Sequence, residues 1–189
     1  MKRVSLAILA LALAPLAAPA QQAPATEGAK AAQPEANPVS SGLRELVETE
    51  SADTVAAVEE MPADKFNFRP TPQQNTFGHL VVHMIRANYG LCRLISGVSA
   101  PKLPDLKDDD PKDALIGPLK ASFDFCAQSF AHLEDSQLGA QVPFIGGKLV
   151  SRGFLVVTMA EDYGDHYSTA AMYLRLNGLL PPTAQPRKQ

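Results

Sequence analysis

Several familiar devices are missing from this chain, and each absence removes a class of function. There is no glycine-rich phosphate loop and no Gly-x-Ser-x-Gly elbow, so neither P-loop nucleotide chemistry nor an α/β-hydrolase serine is indicated. No internal repeat is present, which sets aside solenoids and propellers. Lysine and arginine form no cluster, and 17 basic groups face 20 acidic ones, for a formal charge of -3. Nucleic acid is therefore not an expected partner. After the first twenty residues no apolar run is long enough to span a bilayer. The acidic run Asp105 to Asp110 lacks the glycine and distal glutamate of a calcium loop, and reads as an exposed connection.

The N-terminus carries a pattern of its own. Met1-Lys2-Arg3 is a positive start, Val4 to Leu16 is a short apolar run, and Ala18-Pro19-Ala20 is a small-x-small motif. These features predict a signal peptide over residues 1–20, cut after Ala20, and a periplasmic or secreted product without stable membrane insertion. No cysteine lies near the cut, so no lipid anchor is expected there. Loss of Lys2 and Arg3 with the leader would take the formal charge from -3 to about -5. Residues 21–38 hold Ala, Pro, Gln and Glu but no large apolar side chain, which predicts a flexible linker. The remaining stretch, residues 39–189, suits one domain with one core.

Sixteen prolines punctuate the chain and leave four long windows with helical periodicity. The first spans about Ser41 to Met61, with Leu43, Leu46, Val47, Thr54, Val55 and Val58 as its stripe and Ser40 or Ser41 as its cap. The second spans about Pro72 to Ser96, and the third about Pro111 to Glu134, where Pro118 marks either the true start or a kink. The fourth spans Ser151 to Asn177, stopped by Gly178 and Pro181-Pro182. Between the third and fourth, Val142 to Val150 reads as a small hairpin or extended loop. The expected fold class is all-α, a four-helix bundle. Cys92 and Cys126 fall on the core stripes of the second and third helices. They form either a bridge closing a loop of about 34 residues or two buried thiols, depending on helix register.

The fourth window also carries the chemistry. Leu155, Met159, Asp162, His166, Thr169, Tyr173 and Leu176 recur three or four apart and share a face. A carboxylate and an imidazole on that stripe are costly to bury without compensation, and a metal ion is one such partner. Glu161 and Asp165 lie off the stripe and read as solvated charges, while Tyr167, Tyr173 and Arg175 read as a packed helix end with Arg175 paired to a carboxylate.

Three segments together resemble the DinB-like family: Phe66-Asn67-Phe68-Arg69-Pro70; Phe77-Gly78-His79-Leu80-Val81-Val82-His83; and His166-Tyr167 with Tyr173 to Gly178 and Pro181-Pro182. The resemblance covers nearly all of residues 43–182 and implies a four-helix bundle holding a divalent metal between its second and fourth helices. By position it implies His83 as the second-helix ligand and His166 as the last. The middle ligand, commonly histidine, falls on Asp162, which shifts preference from zinc toward harder ions such as manganese, iron or magnesium. Zinc, manganese, iron and nickel are the cofactors considered. The alternative for His83, Asp162 and His166 is a buried hydrogen-bonded trio without metal, and His79 reads as a surface residue rather than a fourth ligand. Two functions follow: a metal-dependent hydrolase or transferase of an unidentified small molecule, or a non-catalytic bundle that binds a metal or small ligand and forms a homodimer. An exported protein would not meet cytoplasmic low-molecular-weight thiols, which weighs against the thiol-transfer chemistry of some relatives.

Overall fold

A computed structural model of the chain describes residues 34–186. The expected signal peptide, residues 1–20, and most of the expected linker, residues 21–38, lie outside the described residues. Within them are four long helices, α1 (Pro38–Glu60), α2 (Phe77–Ser96), α3 (Lys112–Phe130) and α4 (Arg152–Leu176). A two-stranded antiparallel hairpin, β1 (Gln141–Pro143) and β2 (Leu149–Ser151), sits between α3 and α4 with Val142 opposite Val150. The helices form a square in which α1 packs on α3 and α4, and α2 packs on the same two. Helices α1 and α2 are therefore diagonal, as are α3 and α4. Every helix contributes to one core, which includes Val58, Phe77, Ile85, Leu119, Phe130, Leu155 and Leu174, all fully buried.

The ends of the helices show why some boundaries differ from the expected ones. Helix α1 starts at Pro38, ahead of Ser41, with Asn37 at the cap position. Ser40 is not a cap. It is buried in the first turn, where Asp135 accepts hydrogen bonds from Ser40 N (2.8 Å), Ser40 Oγ (2.6 Å) and Val39 N (3.1 Å). A carboxylate from the α3–α4 connection thus satisfies the free N–H groups that a local serine was expected to serve. In return Asn37 Oδ1 accepts from Asp135 N (2.9 Å).

Helix α2 begins at Phe77 rather than near Pro72. Thr76 Oγ1 accepts from His79 N (3.0 Å), and the N–H groups of Phe77 and Gly78 turn back to Phe68 O and Phe66 O. Helix α3 runs through Pro118 and begins six residues before it. The proline lacks an N–H and leaves Ala114 O without its usual helical donor. The turn is retained because Leu115, Leu119, Phe123, Cys126 and Phe130 bury one continuous stripe. Helix α4 starts at its serine cap, with Ser151 Oγ accepting from Phe154 N (3.1 Å). It ends in a Schellman turn: Gly178 has φ +76°, Leu179 N donates to Leu174 O and Gly178 N donates to Arg175 O (both 3.0 Å).

The two cysteines are bridged. Cys92 of α2 and Cys126 of α3 form a disulfide, with a Cα–Cα separation of 5.2 Å, and so settle the alternative that the sequence left open. The acidic connection from Asp105 to Asp110 is not simply an exposed strap. Leu106 is buried, Arg86 Nη2 donates to Leu106 O (2.8 Å), and the loop backbone lies against the start of α2. A Cβ on Gly78 would stand 2.4 Å from Asp108 O, so only glycine allows that approach.

Candidate metal centre

Asp162 and His166 are one turn apart on α4 and therefore project from the same face. His83 stands opposite them on α2, seven positions into a helix whose other face is core. The packing of α2 against α4 brings one ligand atom from each residue within 4.8 Å of the others. The His83 and His166 rings meet edge to face, with centroids 5.0 Å apart. Burial grades across the group: His166 is buried, Asp162 half-buried and His83 exposed. His83 and His166 open onto a cleft of about 450 Å³.

The electrostatics of the trio are those of a buried pair without full compensation. Burial pushes the Asp162 carboxyl above its ordinary range, against the attraction of His166 and His83. Burial also pushes His166 below its ordinary value, opposed by the Asp162 charge. His166 Nδ1 and Asp162 Oδ2 lie 3.3 Å apart, yet that oxygen is buried and makes no hydrogen bond of acceptable geometry. The hydrogen-bonded trio weighed from the sequence is thus not formed. Two imidazoles and a carboxylate oxygen that lacks a hydrogen bond are a donor set suited to a divalent cation of the first transition row.

Neighbouring residues complete the cleft, and several were not singled out by the sequence. Gln73, Gln74 and Asn75 from the α1–α2 connection line it, with Thr169 and Met172 from α4. Tyr173 is buried and donates from its hydroxyl to Asn75 O (2.7 Å), which holds that connection over the cleft. His79 is more than a surface histidine. Its Nδ1 lies 2.7 Å from Asp108 Oδ2, and its ring lies parallel to that of His83 with centroids 6.4 Å apart. The spacing of His79 and His83 was visible in the sequence. Asp108, 29 residues further on, carried no local signal of this pairing.

Tyr163 was missed altogether, although its spacing of four from Met159 and eight from Leu155 marks it as a core position. It is 2% exposed, packs against Phe123 at 5.6 Å, and its hydroxyl has no hydrogen-bond partner. Burial, followed by the Asp162 and Glu50 charges, pushes its phenol far above the ordinary value. Glu161 and Asp165 are exposed. Arg175 is exposed too and joins no ion pair among the described residues, so its expected carboxylate partner is absent there. Tyr167 instead bonds Thr183 at 2.8 Å.

Comparison with known proteins places this geometry. No protein of curated function matches the chain significantly. Among solved structures, a DinB-like protein from Bacillus subtilis superposes with a TM-score of 0.62 at 17% identity, covering 77% of this chain and 99% of that one. A DinB-like protein from Bacillus cereus gives 0.62 at 14% identity over 75% of this chain and 95% of its own. A conserved protein from Enterococcus faecalis gives 0.59 at 18% identity, over 73% and 96%. At these identities the likeness is one of fold. The sequence model of the DinB superfamily matches residues 45–170, which take in α1 from Glu45 onward, the hairpin and all three clustered residues. The chain belongs to the DinB superfamily.

Proposed function

We propose that His83, Asp162 and His166 hold a divalent metal ion, and that the protein is a metal-dependent hydrolase or transferase acting on a small molecule in the adjoining cleft. The observation that carries this reading is the convergence of three ligand atoms within 4.8 Å, in a group where Asp162 Oδ2 is buried without a hydrogen-bond partner. Three protein ligands leave coordination positions open, and a divalent ion held there would act as a Lewis acid toward water or a substrate oxygen. The remaining parts come from the chain itself. Tyr173 and the amide side chains of Gln73, Gln74 and Asn75 bind and orient the substrate's polar groups on one side. His79, fixed through Nδ1 by Asp108, presents its other ring nitrogen as the proton acceptor beside the site. A histidine held by a carboxylate keeps one tautomer and one orientation, as this role requires.

Export belongs to the same proposal. The Cys92–Cys126 bridge fits an oxidising compartment and supports the reading of residues 1–20 as a leader. Elemental analysis of natively produced protein, followed by a screen against ester, amide and phosphate substrates, tests the function. Stoichiometric metal with turnover that is lost in His79→Gln supports it. Metal without any turnover would favour a non-catalytic binding bundle, and no metal under any loading condition would refute the reading.

A further inference from the structure

The three clustered residues stand at the junction of two clefts of unlike character. His166 faces the first, where amides, hydroxyls, Asp165 and His79 stand beside Leu80 and Met172. Asp162 faces a second, of about 520 Å³, and His83 lines both. The floor of the second cleft is α2, where His83, Ala87, Gly90 and Leu94 fall at spacings of four, three and four and so form one line along the helix. Its opposite wall is the hairpin connection, Pro143, Phe144 and Ile145. Ile145 is 80% exposed, a large apolar side chain that the described residues leave largely uncovered. Apart from His83 and Asp162, only Arg93 and Thr158 contribute polar groups.

Two details show an open channel rather than an incidental dent in the surface. Helix α2 carries two small residues, Ala87 and Gly90, on the side that the hairpin connection faces. A Cβ built on Gly90 meets nothing within 4 Å, so the space beside it is free. From His83 to Leu94 the helix rises about 16 Å, long enough for an extended aliphatic chain.

We infer that the substrate is a small amphiphile: a linear acyl or alkyl arm lies between α2 and the hairpin, and the polar reacting group sits at His83, Asp162 and His166. This rests on the reading of those residues as the reacting centre. A compound lying across the junction meets amide and hydroxyl groups on one side and aliphatic surface on the other. An apolar arm in the second cleft would cover Leu91, Leu94 and Ile145, and burial of such surface is worth about a fourfold gain in affinity per methylene.

The test measures binding of linear primary amides, butanamide through decanamide, to the full folded protein by calorimetry, with and without added zinc or manganese. Affinity is expected to rise about three- to fourfold per methylene and then level off as the channel fills. Gly90→Phe should abolish that chain-length dependence, because the ring grows into the channel, while metal content is unchanged. Ile145→Ser, at an exposed position that leaves folding intact, should weaken the longer amides severalfold and spare butanamide. Affinity that does not change with chain length in the wild type would overturn the inference and leave the metal reading standing. A retained chain-length dependence in a protein that takes up no metal would leave the channel and remove the metal reading. Chain-length dependence that survives both substitutions would place the arm elsewhere and refute this site.

Discussion

Helix α2 has two working faces, and they are built on opposite principles. Toward α3 it is closed. Cys92 and Cys126 are bridged, and buried Asn88 donates to Ser122 Oγ at 2.9 Å, which in turn donates to Leu119 O at 2.7 Å. Toward α4 the same helix is open. His83 is exposed, Ala87 and Gly90 leave a channel, and Asp162 across the groove carries a buried oxygen without a partner. Satisfied polar groups and a covalent tie fix one seam, while an unsatisfied group and free space mark the other. Proteins commonly concentrate such departures from ideal packing where they bind and react, and the stable seam supplies the rigidity that the open one requires.

The strongest way to break this comparison is to cut the closed seam. Replacing both Cys92 and Cys126 with alanine should cost about 3–4 kcal/mol, from the loop entropy alone, and lower the melting temperature by roughly 10 °C. Metal uptake by the folded variant should be unchanged. If uptake is lost along with the bridge in protein that is still folded, the two faces are not independent.

The open seam should respond in opposite directions with and without metal. Asp162→Asn removes a buried carboxylate that lacks a hydrogen bond, so the metal-free variant should melt at or above the wild-type temperature. With metal at a hundredfold over its dissociation constant, the wild type should gain about 2.7 kcal/mol, and the variant should lose most of that gain. Paired melting curves measure both effects at once, and equal responses to metal in the two proteins would remove Asp162 from the site.

A smaller effect is expected where the acidic loop meets α2. Gly78→Ala places a methyl group against Asp108 O, which has to move, at a cost of about 1–3 kcal/mol. The His79–Asp108 bond should be lost, as histidine nitrogen shifts in NMR spectra would report. The smallest effect concerns acid. The hydrogen bond from the Ser40 side chain, helped by the backbone N–H groups of Ser40 and Val39 and by Arg44 and opposed by partial burial, holds the Asp135 carboxyl below its ordinary value of 3.8. A lowered folded value means that this contribution is fully present above the ordinary value and is lost as pH falls through the lower, folded one. Melting temperature followed downward from pH 5 should therefore fall less steeply in Asp135→Asn than in the wild type.

How much of this the sequence revealed follows the distance over which each feature is encoded. Helices, hairpin and the stop at Gly178 are signalled by residues next to one another, and all of them occur, although α2 begins at Phe77 rather than near Pro72. The start of α1 and the role of Ser40 were misread because the cap comes from Asp135, 95 residues away in sequence. Pro118, read as either the start of the third helix or a kink within it, is not its start, because burial of the stripe holds the helix together through it. The positions of His83, Asp162 and His166 were legible through the family resemblance, and the spacing of the last two through helical periodicity. The His79–Asp108 pair and the hairpin wall of the second cleft were not, since each joins segments whose proximity only the folded chain creates.

The central claim is that the open seam of α2 is a metal site. The most direct measurement is elemental analysis of purified wild-type protein and its His166→Ala variant after equilibration with zinc or manganese and removal of free ion. The account predicts about one ion per wild-type chain and a loss of most of that metal in the variant, with helical content unchanged. Equal metal content in the two proteins, or none in the wild type, would contradict it.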